Sequence, residues 1–412
     1  MHDAVVIGAG HNGLVAANVL ADAGWSVLVV EAEGEPGGAV RSGELIEPGF
    51  VHDRFSSFYP LAAASPVFRA LSLEIPFRHG PLVLAHPALD GSCALLERDG
   101  GDPRWRRIEP AVLRAMIAPR AAVGLLRVPA AAGLLRRPAD PLQARIREGN
   151  ALHTDAPPWS PVGRAFGLVL TELGRHHGYP CVEGGAGRIV ELLVERARSR
   201  GVELRLGERV ERLPTARRAV IAAVDVWELG RITGRPSRAA PDPATLKLDW
   251  TLDGPVPWTC EPARRSPVVH LGDERDFVLV GQYSMADPSR APSGKETLWA
   301  YSHALLDADS VEAQIERHAP GFRALVRGRR EERLPPGRVN LGTARLRNEL
   351  FLRPFHGRPQ TGIANVYLGS ASAHPGGGVH GAPGWIAAQA ALRSASRRRR
   401  ARGLASLTIS SR

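Results

Sequence analysis

The sequence predicts an α/β protein in which a parallel, doubly wound sheet is interleaved with an α+β domain of mixed sheet and helices. Three observations predict it. A strand–helix–strand pattern opens the chain: DAVVIG at 3–8, GLVAANVLADA at 13–23 and SVLVVEA at 26–32. A strand–loop–helix lies near the C-terminus, with six glycines among residues 366–385. Between them, residues 244–300 read as successive strands, TLKLDWTLDG, SPVVHLG, DFVLVGQYSM and ETLWAYSH. Strands alternating with helices imply a parallel sheet, and runs of strands an antiparallel one. The predicted division gives 1–75, 176–235 and 346–395 to the parallel domain. It gives 76–175 and 236–345 to the second domain, and leaves 396–412 as a disordered basic tail.

In the opening unit, apolar residues at 14, 15, 19 and 20 have helical spacing and Gly24 ends the helix. The connection implies a right-handed crossover. The loop Gly8-Ala9-Gly10-His11-Asn12-Gly13 matches G-x-G-x-x-G between strand and helix. Gly8 permits the tight turn, Gly10 lets backbone approach a pyrophosphate, and Gly13 lets helix and strand pack closely. The helix N-terminus offers free N–H groups to phosphates. Glu31 sits where a carboxylate takes ribose hydroxyls, and it would repel the 2′-phosphate of NADP. The plain alternative, a glycine turn without a ligand, is disfavoured by the flanking strands and helix. Gly37-Gly38 followed by Arg41 suits the longer FAD, with Arg41 near the phosphates, although an ordinary turn explains the doublet equally well.

The middle of the chain is less regular over 50–148. An amphipathic helix over 186–200 is stopped by Gly201; VELRLGERVERL then reads as strand, and RRAVIAAVDV at 217–226 as a buried strand. Residues 310–330 read as helical.

Composition sets outer bounds. The chain has 412 residues, 44% hydrophobic and 23% charged, an ordinary globular balance with no run of membrane-spanning length. The strand close behind Met1 leaves no room for a signal peptide. Cys93, Cys181 and Cys260 are scattered, and read as reduced buried thiols of a cytoplasmic protein rather than a disulfide or metal site. The net charge of +11 is concentrated in 104–147, with ten arginines against Glu109 and Asp140, and in 393–412, with seven arginines and no acid. The remaining chain is net acidic, so its body is not a nucleic-acid surface.

The stretch GAGHNGLVAANVLADAGWSVLVVEAEGEPGGAVRS resembles the start of phytoene desaturase-like NAD(P)/FAD-dependent oxidoreductases. That family includes carotenoid desaturases, retinol saturase and the pyridine nucleotide-disulfide oxidoreductase domain-containing protein 2 type. GFVHDRFSSFYPL at 49–61, LDGPVPW at 252–258 and ASAHPGGGVHGAPG at 371–384 are also similar. The resemblance implies a Rossmann-type FAD domain closed by the C-terminal strand–loop–helix. It implies FAD contacts from Gly8, Gly10, His11, Asn12, Gly13, Glu31, Ala32, Gly37, Gly38, Ala39, Arg41, Ser370, Ala371, Gly377, Gly378 and Val379. It also implies an adenine contact from the backbone of Val210, on the strand ERVERL. Ser370 stands where many related flavoproteins place Asp. The chain is shorter than its relatives: only Pro214-Thr215-Ala216 separate VERL from RRAVIA, where the family inserts an antiparallel meander.

The implied activity is hydride removal from an apolar substrate, isoprenoids included, which needs no side-chain nucleophile. No catalytic residue and no metal ligand is assigned. His52-Asp53 lies where the chain passes toward the flavin; its plain reading is a surface or supporting histidine. His374 and His380 flank the C-terminal glycines, and loop packing explains them as well as flavin contact. Some flavin amine oxidases place a lysine beside flavin N5; Lys247 is read instead as a surface lysine. Arginines among apolar residues at 111–136 fit either a solvated cap or peripheral contact with the inner face of the membrane. A shortened, non-catalytic FAD-binding relative is the alternative function.

Overall fold

The computed structural model describes residues 1–55, 57–118, 133–337 and 358–409. Its longer elements begin with β1 (Ala4–Ile7), α1 (His11–Asp22) and β2 (Val27–Val30). Next come β3 (Leu84–Pro87), β4 (Cys93–Leu96), α2 (Pro103–Ile117), α3 (Pro141–Ala151) and α4 (Pro161–His177). The chain then runs through α5 (Gly187–Ser199), β5 (Glu203–Arg205), β6 (Ala219–Ala222) and α6 (Val226–Thr233). It continues with β7 (Thr245–Leu252), β8 (Val268–Leu271), β9 (Val278–Gln282), β10 (Glu296–Ser302), α7 (Ala308–His318) and β11 (Val326–Leu334). It closes with β12 (Val366–Leu368) and α8 (Ala382–Ile409).

Five strands make a parallel sheet in the order β12-β6-β1-β2-β5. Its centre is β1, with Ala4 in register with Ala219 on one side and Val27 on the other. All four residues of β1, β2 and β6 are buried, as a sheet covered on both faces requires. Val6, Ile221 and Tyr367 point into a core with α1, α5 and α8, while Ile7, Val220 and Leu368 point into a second core under α6. The fold is thus a Rossmann-type α/β sandwich, completed by a strand that arrives from the far end of the sequence.

Seven strands make the second sheet, in the order β11-β7-β10-β9-β8-β3-β4, antiparallel except where β8 meets β3. Its organising strand is β7. Leu246, Leu248, Trp250 and Leu252 pack into the core beneath α7. The alternate residues Thr245, Lys247, Asp249 and Thr251 are buried on the opposite face.

The two sheets are joined by a buried polar knot. Asp53 accepts from both Arg290 Nη2 (3.0 Å) and Ser42 Oγ (2.6 Å), and from the backbone N–H of Ala186 at the start of α5 (2.9 Å). Asp287 adds an ion pair to Arg290 Nε at 3.3 Å and accepts from the Gly184 N–H. His52 and Asp53 are therefore fully buried, which corrects the surface reading of this pair.

Four further expectations are corrected. Residues 326–330, the end of the stretch 310–330 read as helix, belong instead to β11, an edge strand paired with β7; its run of arginines and glutamates (VRGRREERL) supplied charge without a decisive period. Residues 208–213 form no strand; only Glu203–Arg205 pairs with β2. Cys93 and Cys260 form a disulfide, because the sheet brings together two positions 167 residues apart, and Cys181 is the free, buried thiol. The basic tail, expected to be disordered, continues α8 to Ile409, consistent with the good helix propensity of arginine. The arginine-rich segment 111–136 lies partly outside the described residues, which end at 118 and resume at 133. Among the described residues no helix is long and apolar enough to cross a membrane.

Candidate functional site

The first sign of a site is a missing cap. Helices α2, α3, α4, α6 and α7 each begin with Asp or Ser accepting from their own first turn. Helix α5 is capped from a distance by Asp53 and Ser42. Helix α1 begins at Gly10 with no side-chain cap, so its first N–H groups and the positive end of its dipole stay open. An added Cβ on Gly10 would meet nothing within 4 Å, whereas one on Gly13 would lie 2.0 Å from the Gly8 carbonyl oxygen. Gly8 itself has φ +97°. The first loop glycine makes the turn, the second faces open space, and the third allows close packing.

That open space is a cavity of about 500 Å³. One end is lined by Gly8, Gly10, His11, Asn12, Glu31, Ala32, Gly37, Gly38, Ala39 and Val210, together with Ser370, Ala371, Gly377, Gly378 and Val379. The two glycine loops meet directly. Helix α8 enters so close to α1 that a Cβ on Gly384 would lie 1.9 Å from the Asn12 carbonyl oxygen. The His11 ring bonds to the backbone of Gly378, and burial pushes its pKa down to about 4, so it is neutral. His11 Nε2 and Asn12 Oδ1 are buried without a protein partner. Glu31 Oε2 accepts from the Ala9 N–H at 2.6 Å, and Gly37 N–H donates to the Ala9 carbonyl at 2.9 Å.

Two expected contacts fall outside this lining. Gly13 is buried beneath the loop, in its packing role. Arg41 turns away, with Nε donating to the Gly38 carbonyl (3.0 Å) and Nη1 paired with Glu35 (2.6 Å), so it braces the glycine doublet. Val210 lines the cavity from a non-strand segment, and its carbonyl oxygen accepts from Arg231 Nη2 at 2.8 Å.

The other end of the cavity passes between the sheets. It is lined by Phe55, Phe58, Leu61, Phe166, Trp299 and Tyr301, among others. Lys247 is here rather than at the surface: it is buried, lines the cavity and is ion-paired with Asp249, which also meets Arg330 at 3.3 Å. Burial lowers the Lys247 pKa, opposed by the Asp249 carboxylate. The sequence offered one signal for this, the apolar–polar alternation TLKLDWTL, which places Lys247 opposite the leucine face. His374 and His380 do not line the cavity. His374 Nε2 bonds to the Ala115 carbonyl at 3.0 Å; His380 accepts from the Ala382 N–H at Nδ1, so its Nε2–H faces the Gly377 carbonyl. Both hold the loop. A more open cleft of about 1130 Å³ shares Thr154 with the cavity but touches neither glycine loop. Glu109 has one carboxylate oxygen 2.6 Å from His176 and the other 2.6 Å from His177; none of the three lines the cavity.

The family described as FAD dependent oxidoreductase matches residues 3–182. The chain shares this match with FAD-dependent oxidoreductases over its N-terminal part. It is 38% identical over 98 residues to a limonene dehydrogenase component of Castellaniella defragrans, covering 24% of this chain and 16% of that one. It is 24% identical to pyridine nucleotide-disulfide oxidoreductase domain-containing protein 2 of Rattus norvegicus, covering 95% of this chain and 93% of that one. That alignment runs over 554 positions against a chain of 412, so the rat protein carries segments this chain lacks. Among solved structures, an oxidoreductase from Methanosarcina mazei shares the fold with a TM-score of 0.63 at 16% identity, covering 95% and 99% of the two chains.

FAD fits the cavity on the cavity's own geometry. An uncapped helix, an open Gly10 and two unpartnered polar atoms lie at the end where both glycine loops meet.

Proposed function

We propose that the protein is an FAD-dependent oxidoreductase that holds FAD between its two glycine loops and oxidises an apolar substrate, in the manner of the phytoene desaturase-like group. Bound FAD supplies a two-electron acceptor. The observation that carries the reading is the cavity's far end, where aromatic and aliphatic side chains from both domains enclose the space next to the glycine loops. Apolar walls bind an apolar body and exclude water from the reacting carbon.

The chain's own residues divide the work. The α1 N-terminus and the Gly10 backbone receive the pyrophosphate, and Glu31 exchanges its Ala9 contact for ribose hydroxyls. Gly377 and Gly378 leave a face open for the flavin ring. Lys247, held by Asp249, is the cation at the substrate end and fixes the polar part of whatever binds there. The test is anaerobic flavin bleaching. The FAD-loaded protein is mixed with a panel of isoprenoid hydrocarbons and alcohols. Bleaching by one of them supports the reading; an FAD-loaded protein that no apolar compound bleaches points to the non-catalytic relative.

A further inference from the structure

Three histidines of the second domain, His86 and His270 buried and His153 partly so, sit in succession in an arrangement that ligand binding does not explain. His153 follows the C-terminus of α3 and lines the substrate end of the cavity. It is enclosed by protein, yet keeps an accessible face that opens on the cavity. Its Nε2 lies 2.9 Å from Nε2 of His270 on β8. His270 is fully buried, and its ring stands 5.7 Å from that of His86 on β3. His86 lines a separate outer cleft, with Arg145, Trp159 and His318.

The rings are oriented for transfer. His86 Nε2 faces the Gly272 carbonyl at 3.0 Å, so it carries the hydrogen and leaves Nδ1 as an acceptor. His86 Nδ1 and His270 Nδ1 are both buried without a protein partner, a condition that folded proteins rarely leave unexplained. Both point at Gly149 of α3: the position a Cβ would take there is 2.6 Å from His270 Nδ1 and 3.0 Å from His86 Nδ1. Two nitrogens that close to one point are within reach of a single bridging water, and glycine alone leaves the room. Phe277 packs against both His153 and His270 and keeps bulk solvent away.

We infer that His153, His270 and His86 form a proton path between the substrate end of the cavity and the outer cleft. The path rests on the proposed redox reading, because oxidation of a saturated carbon pair releases a proton into a closed apolar space. One C–H bond gives its hydrogen and electron pair to the acceptor that FAD supplies. The second C–H bond breaks, its electron pair becomes the new double bond, and its proton is taken up at His153. His153 passes its Nε2 proton to His270 Nε2. His270 releases its Nδ1 proton through the bridging water to His86 Nδ1, and His86 gives its Nε2 proton to the cleft. Burial holds all three neutral at rest, with His86 and His153 pushed down to about 4, so each accepts a proton only in passing.

The test needs no substrate, because reoxidising reduced, bound FAD releases its proton outward along the same route. The FAD-loaded full chain is photoreduced without oxygen, then mixed with ferricyanide in weak buffer with phenol red, following the return of flavin absorbance and proton release separately. In the wild type, release keeps pace with reoxidation. In His270→Phe, His86→Phe and Gly149→Ala, reoxidation is unchanged and release lags by roughly tenfold or more. Gly149→Ala keeps every histidine and only fills the gap. If His270→Phe does not fold, the other two decide. Folded variants that release protons at the wild-type rate overturn the path. A chain that takes up no FAD overturns the functional reading, and the path with it.

Discussion

The glycines of the first loop do different work, and substitution separates them. Gly10→Val places a side chain in open space at an ordinary extended φ of −65°. The expected result is a melting temperature within a few degrees of wild type and loss of FAD, read as visible absorbance after gel filtration. Gly13→Ala forces a methyl group onto the Gly8 carbonyl, so it loses FAD and also costs about 2–4 kcal/mol of stability by denaturant unfolding. Both loops were legible because a turn with positive φ and a close backbone approach demand glycine at fixed spacing. The bonds from His11 to Gly378 and from Lys247 to Asp249 were not. They depend on which faces meet across the fold, and a single histidine or lysine carries no mark of its burial.

Among elements, the junction between the sheets is the sensitive point. Asp53→Ala leaves Arg290 charged, fully buried and short of its main partner, and removes the distant cap of α5. Chemical denaturation should show a loss of about 3–5 kcal/mol. Asp53→Asn keeps the size and one acceptor and should cost less. The strands of the second sheet were legible where they alternate or run apolar, as in β7 to β10. Edge strand β11 was not, since the residues of an exposed strand are set by solvent and ion pairing rather than by a core. The Cys93–Cys260 bond was missed for the same kind of reason: its spacing matches no local motif. Thiol titration of the denatured, unreduced chain should find one free cysteine, Cys181, and three after reduction.

For the molecule as a whole, the pH dependence of stability is set by opposed contributions: His11, His86 and His153, which burial pushes down to about 4, add stability as pH rises above that value, and Glu296 takes it away. Glu296 on β10 is buried, and desolvation raises its pKa from 4.5 to about 7, although it accepts from the Ser284 N–H. Between those values the unfolded chain is ionised and the folded chain holds the proton. The contribution of Glu296 present below pH 4.5 is therefore lost progressively up to about pH 7, to a total of about 3 kcal/mol. Glu296→Gln should remove that loss, so the variant gains about 3 kcal/mol on wild type between pH 4.5 and pH 8, in unfolding curves taken across the range.

The parallel sheet has a consequence for biosynthesis. Strand β12 completes the sheet beside β6, and α8 packs against α1, the first helix of the chain. A ribosome has therefore released the opening strand–helix–strand unit long before the segment that seals it exists. Nascent chains stalled before residue 366 should expose the apolar face of α1, recruit chaperones and retain no flavin, however much FAD surrounds them. Cofactor loading is then an event of the finished polypeptide, and the cell's flavin supply acts on the completed fold rather than on its assembly.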